Sequence, residues 1–263
     1  MAFESNAAWQ FAVRKVAANR DLLMAVAGVF FVLPSFALSL VTPDFVPTAD
    51  ADPSARFQQV MQFYSGIMPY AIVLGAVQLL GAMAVLALMT DRGRPTVADA
   101  LRQGLRGVLP CLAAQLIVAA LLGVGLMLML VIGAATGIAA VATVMFIAGF
   151  ALAAWAWTRL SLVLPVIAVE RIANPFTALA RSWNLTRGNA GKLFVFYLLL
   201  VLAFVIVLSL IMLVIGVVLA LAMSEETGKV VGDLIAAMLT GVVALYFLGA
   251  LAGAHRQLSG TAD

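Results

Sequence analysis

The chain has 263 residues, of which 65% are hydrophobic and 10% charged, with a formal net charge of +3. A soluble domain carries about 25% charged residues and about 45–50% apolar ones, so no globular core hides this much apolar surface and lipid must act as the solvent. A hydrocarbon core of about 30 Å takes about 20 apolar residues per helix, which leaves room for several spans and excludes a sizeable soluble domain within these residues.

Residues 4–18 read as an amphipathic helix on the membrane surface. Phe3, Ala7 and Phe11 fall on one stripe, and Arg14, Lys15 and Arg20 close the segment; a frayed tail is the competing reading. The first span is expected at 22–41, interrupted by Pro34, which a lipid-embedded helix tolerates. Its length fits a retained anchor better than a cleaved signal peptide. Residues 42–66 read as a polar loop holding Asp44, Asp50 and Asp52 with Arg56, and the second span follows at 67–88.

Four arginines, Arg92, Arg94, Arg102 and Arg106, then precede the third span. Thr96 with Asp99 three residues on reads as a helix start. Val97, Leu101, Leu105 and Val108 share a face opposite Arg102 and Arg106, so 96–107 is expected to be a second interfacial helix. The third span is placed at 108–132, a break of small residues runs from Gly133 to Gly137, and the fourth span follows at 138–158. The fifth, 193–222, holds no ionisable residue, and the acidic loop from Ser224 to Lys229 leads to the sixth at 230–253. The fold class is therefore all-α: a single polytopic membrane domain over 1–263 with about six transmembrane helices and short amphipathic helices on the cytoplasmic side.

Thirteen cations and six acids fall on one side of this arrangement, +7, against two cations and six acids on the other, −4. The positive-inside rule puts the basic side and both termini in the cytoplasm. Each Lys or Arg near an anionic leaflet contributes about 1 kcal/mol of attraction, so the expected partner of that face is anionic lipid rather than nucleic acid. A second copy of the chain or another membrane protein is the other expected partner class. Three stretches, around residues 3–15, 97–107 and 175–188, each place cations ahead of a helical hairpin, a weak repeat that chance explains nearly as well.

Residues 159–192 carry the most distinctive pattern. The fourth apolar run continues from Ile138 to Val169, about 48 Å at about 1.5 Å per residue and too long for the bilayer core. Arg159 comes about 31 Å along it, at the level of the inner headgroups, behind Trp155 and Trp157, which fit the aromatic belt. The rest is expected to project beyond the bilayer or bend along it, with Pro165 as the bend. Asn174 and Pro175 make an N-cap and first helical residue. An interfacial helix at 175–187 is expected to carry Phe176, Leu179, Ala180 and Trp183 as one apolar stripe, flanked by Arg181, Ser182 and Arg187, and to close at Gly188 in the left-handed conformation.

This stretch, an arginine in the fourth span, Pro165 and Glu170 ahead of a turn, then ALARSWNLTRGN from Ala178 to Asn189 before a long apolar helix, resembles the membrane domain found with some glycerophosphoryl diester phosphodiesterases and the related YciC-like family of bacterial inner-membrane proteins. The resemblance is specific over about 35 residues and, through hydropathy and span order, extends over the chain. It implies a six-helix membrane protein of the bacterial inner membrane. The catalytic barrel that follows this domain in fused members has no counterpart here, and its carboxylate and histidine motifs are absent, so phosphodiesterase activity is not carried over.

Arg159, Glu170, Arg181, Trp183 and Arg187 form the candidate ligand-binding set. Their plainest role is to hold topology, as snorkelling or paired charges. The sharper reading is that they converge under the helical hairpins and grip phosphate-bearing lipid headgroups, because arginine binds phosphate bidentately. A passive transporter or channel-like subunit is the alternative, since apart from Arg159 and Asp233 near span ends the spans hold only Gln78, Gln115 and hydroxyls, and coupled pumps place titratable groups at mid-membrane. No catalytic residue is assigned. Glu225 and Glu226 read as a solvated loop, Cys111 and Ser209 have no base nearby in sequence, and a single cysteine with a single His255 near the tail makes no metal cluster or cofactor site. Gly133xxxGly137 and Gly249xxxGly253 read first as packing faces within the chain and second as dimer contacts.

Overall fold

The structure, a computed structural model, describes residues 3–43, 45, 52–91 and 96–260. The calls on Arg92, Arg94, Asp44 and Asp50 lie outside them. The described residues are all helical: α1 (Ser5–Ala18), α2 (Arg20–Ala27), a π-helical turn (Gly28–Val32), α3 (Leu33–Val41), α4 (Pro53–Thr90), α5 (Val97–Ala135), α6 (Ala139–Leu160), α7 (Val163–Glu170), α8 (Pro175–Leu185), α9 (Ala190–Ala222) and α10 (Glu225–Leu258). Six stretches are long and apolar enough to cross a membrane: Arg20–Val41, Ser54–Thr90, Val97–Ala135, Ala139–Glu170, Ala190–Ala222 and Glu225–Leu258.

The helices begin earlier and run longer than hydropathy suggests. Residues 53–66 are the first turns of α4, not loop. Asp52 stands at the N-cap and Pro53 at the first helical position, the arrangement that starts helices best when the missing proline donor is an orphan anyway. Likewise 96–107 is no separate interfacial helix but the start of α5, continuous through Pro110. The Thr96–Asp99 capping box forms as expected, with Asp99 N donating to Thr96 Oγ1 at 3.2 Å and Thr96 N to Asp99 Oδ2 at 3.3 Å. The buried face of α5 is nevertheless Ala100, Gly104, Cys111, Ala114 and Val118, while Leu105 is exposed; small residues are inside because α4 approaches closely there. The expected acidic loop shrinks too, since Ser224 is an N-cap and Glu225 and Glu226 fill the first turn of α10, where the helix dipole favours carboxylates.

Neither a frayed tail nor a loosely lying surface helix describes α1. It packs along the end of α10, with Phe3, Ala8, Phe11, Ala12 and Val16 buried. Phe3 and Phe11 of the expected stripe are inside, but between them it is Ala8 and not Ala7 that is buried. The reason is the partner: a Cβ on Gly249 would come within 2.9 Å of Ala12 Cβ, and one on Gly253 within 2.7 Å of the Ala8 carbonyl oxygen. The Gly249xxxGly253 face therefore seats Ala8xxxAla12, two backbones in close contact within one chain. Gly133 plays the same part between α5 and α6, where a Cβ would lie 2.9 Å from Ala142 Cα, and Gly137 turns the hairpin at φ +67°.

The core sits at one end of the bundle. Leu79 to Met89 of α4, Cys111 to Val118 of α5, Leu193 to Leu200 of α9 and Leu245 to His255 of α10 supply most of the buried positions. Toward the other end Leu121, Val124, Val144, Phe150, Leu213 and Leu221 are all exposed. The end where the helices converge carries the cations flanking residues 159–192, and is called the basic end below.

α7 is buried at the centre of that end. Leu162, Val163, Pro165, Val166, Ile167 and Ala168 are each at most 6% exposed or among the fully buried, and α7 packs on α4, α5, α8 and α10. The expected bend is present, and the segment beyond it is enclosed by other helices of the chain. A helix apolar on every side must be enclosed, and protein rather than lipid encloses it. The bend falls at Ser161 and Leu162, before Pro165, so that the proline sits in the first turn of α7, where it has no donor to lose.

Candidate functional site

The break between α6 and α7 strands the last carbonyls of α6, and α8 satisfies them. The Arg159 carbonyl accepts from Ser182 Oγ at 2.9 Å and Thr186 Oγ1 at 3.2 Å, both side chains fully buried. The Thr158 carbonyl accepts from Ser161 Oγ at 2.8 Å. α8 itself starts as its sequence predicts, with Asn174 Oδ1 accepting from Phe176 N at 2.9 Å and Thr177 N at 3.4 Å, and Gly188 follows it at φ +81°. Its inner face, however, is Ala178, Ser182 and Thr186, and Phe176 is 67% exposed. Of the expected apolar stripe, Leu179 packs against the core and Trp183 against Trp155 and Arg159, while Phe176 and Ala180 are exposed; the fully buried face goes to the hydroxyls that the carbonyls of the broken helix require.

With its backbone fixed in this way, Arg159 is 7% exposed and its side chain lies against a pair of indoles. Its guanidinium carbon is 4.3 Å from the Trp183 ring centroid and 5.6 Å from that of Trp155, and the two rings meet edge to face at 5.1 Å. Nε is buried with no hydrogen-bond partner. Arg187 is close enough to act on Arg159 electrostatically. Arg159, Trp183 and Arg187 therefore form one edge, the Arg159 edge.

Glu170 and Arg181 belong to a different cluster. Glu170 Oε2 accepts from Arg181 Nε at 2.9 Å, and its Oε1 lies 2.9 Å from His255 Nε2. An ionised carboxylate only accepts, so the imidazole carries its proton on Nε2. This bridge ties α7, α8 and α10 together with His255 nearly enclosed, its side chain 4% exposed. Arg171, in the left-handed conformation at φ 58°, ends α7 and reaches Asp91 Oδ2 at 3.4 Å and Gln103 Oε1 at 3.3 Å; Gln103 Nε2 in turn donates to the Ala168 carbonyl at 3.0 Å.

Beside this bridge lies a cavity of about 730 Å³ whose polar lining includes Lys15, Asp91, Gln103, Arg171, His255 and Arg256. Sequence reasoning missed His255, Arg171 and the Ser182–Thr186 pair. His255 is 85 positions from its partner and had been assigned to the tail. Ser182 and Thr186 do carry a signal, two hydroxyls four residues apart on one helical face.

Comparison with known families bears on the same region. Residues 132–252 match the family described as the membrane domain of glycerophosphoryl diester phosphodiesterase. The match spans a little under half of the chain. The matched residues include the α6–α7 break, the α8 clamp, Glu170, and α10 up to the helical turn before His255. The protein is thus a multi-pass helical membrane protein carrying this membrane domain. No curated protein and no solved structure matches the chain.

Proposed function

We propose that the protein is a non-enzymatic, lipid-interacting membrane protein whose basic end faces the cytoplasm, with both termini, and holds phosphate-bearing headgroups of the inner leaflet. The observation that carries this reading is Arg159. Its cation is held against the edge-to-face pair of Trp155 and Trp183, over Trp183, with Nε buried and unpartnered, and an unsatisfied buried donor costs about 1–3 kcal/mol. A phosphodiester oxygen arriving from the headgroup layer would supply the missing acceptor and neutralise the mutual repulsion of Arg159 and Arg187. The cation excess at this end supports the orientation. Arg181 and Glu170 leave the lipid-binding set and become its support, since they are already engaged with one another. The non-enzymatic reading is supported at Cys111, whose buried sulfur is met by the Gln115 amide at 3.7 Å and not by a base.

A second reading, a passive pathway for a lipid or small solute, draws on the exposed apolar side chains of α5, α6 and α9 toward the far end; flux in proteoliposomes checks it, and no flux counts against it.

Native mass spectrometry on the detergent-purified protein tests the main reading. Wild type retains anionic phospholipid, and an Arg159→Gln, Arg187→Gln double variant of equal thermal stability loses it. Identical lipid retention by the two proteins overturns the proposal.

A further inference from the structure

The cavity next to the Glu170–His255 bridge supports an inference that does not depend on the Arg159 edge. Its wall is assembled from distant parts of the chain: Lys15 from α1, Asp91 after α4, Gln103 from α5, Arg171 at the end of α7, and His255 and Arg256 from α10. With His255 neutral, three cations face one carboxylate, and that carboxylate is in contact with Arg171. Glu170 is taken up by Arg181 and His255.

Lys15 and Arg256 are left over. Among the described residues neither forms an ion pair. Both instead stand near the Phe11 ring, Lys15 Nζ at 5.7 Å from its centroid and the Arg256 guanidinium carbon at 5.5 Å. Two like charges held against one ring repel each other, and a cation–π contact leaves both charges in place. The site is therefore built as half of an ionic arrangement whose other half is an anion.

We propose that this cavity binds a ligand through a single phosphate group, gripped by Lys15 and Arg256, with Arg171 at the margin and Gln103 available to the rest of the molecule. The charge favours phosphate over carboxylate. A formal excess of two positive charges matches a phosphomonoester, which carries about −1.5 to −2 at pH 7, whereas a carboxylate neutralises one. The guanidinium fork of Arg256 suits two phosphate oxygens, and the Lys15 ammonium acts as a point charge on the third. The size agrees as well: about 730 Å³ falls within the range of about 300–1,000 Å³ usual for small-molecule sites and leaves room beyond the phosphate. Two sources share this chemistry, a soluble phosphomonoester and the monoester headgroup of a lipid.

The full-length protein is assayed with two probes. Radiolabelled inorganic phosphate is measured by equilibrium dialysis in phosphatidylcholine nanodiscs, and phosphatidic acid by native mass spectrometry after exchange into mixed micelles. Wild type binds at least one probe, and Lys15→Gln and Arg256→Gln each weaken that binding about tenfold or more, as removal of one charge-assisted bond predicts. Phosphate binding points to a soluble ligand, and phosphatidic acid binding alone to a lipid. Hydrogen exchange over residues 5–18 verifies that α1 stays docked. Should Arg256→Gln release α1, the partly buried Lys15→Gln decides by itself. Absence of binding by either probe, or equal binding by wild type and a docked variant, overturns the proposal. Loss of lipid at the Arg159 edge in the separate Arg159→Gln, Arg187→Gln experiment leaves this cavity untouched, so failure of one proposal is distinguishable from failure of the other.

Discussion

At the scale of single residues the basic end is governed by which charges are already satisfied. Arg159, Arg181 and Arg187 look alike in the sequence, yet one lies over Trp183 and is short of an acceptor, one is bound to Glu170, and one is exposed. Positive-inside reasoning places all three at the same level but cannot tell them apart, because the distinction depends on His255 reaching Glu170 from α10 and Trp183 reaching Arg159 from α8. The Glu170 bridge gives a prediction. His255→Ala removes a buried partner and leaves Glu170 held by Arg181 alone, which should cost about 1–3 kcal/mol and lower the melting temperature in detergent by several degrees. His255→Gln, which can still donate to the carboxylate, should recover part of the loss. Equal melting of His255→Ala and wild type would show that the bridge contributes nothing.

At the scale of elements, helix starts were more legible than helix ends or partners. Thr96 with Asp99, and Asn174 with Pro175, cap as their patterns indicate. Asp52 with Pro53, and Ser224 ahead of two glutamates, are equally good signals that the low hydropathy of residues 53–66 and 224–229 obscured. The burial of α7 was not legible at all, because an apolar helix enclosed by protein and one enclosed by lipid have the same sequence. The docking of α1 was partly legible: its stripe was visible, but its register followed Gly249 and Gly253 on α10. Gly253→Val should therefore push α1 off α10 and raise hydrogen exchange across residues 5–18, at an overpacking cost of about 1–3 kcal/mol. Gly216→Val, where nothing lies within 4 Å of an added Cβ, should leave exchange unchanged. Equal exchange in the two variants would contradict the close-packed crossing.

At the scale of the whole molecule, the buried residues of six spans are concentrated at the basic end, so core packing and charge fall at the same face. The span count and fold class followed from hydropathy alone, since every crossing must bury its backbone polar groups in a helix. Where the core sits did not, because lipid-facing and core-facing residues are equally apolar. Both proposed binding sites, the Arg159 edge and the Lys15–Arg256 cavity, take their physiological meaning from the side of the membrane that this face meets. Cys111 is fully buried, so cysteines introduced elsewhere can be labelled against a silent background. In intact cells an impermeant maleimide should modify Ser224→Cys, at the start of α10, and should reach the exposed Asn184→Cys of α8 only after the cells are opened. Labelling of Asn184→Cys from outside, with Ser224→Cys protected, would turn the basic face toward the wrong leaflet and contradict the account.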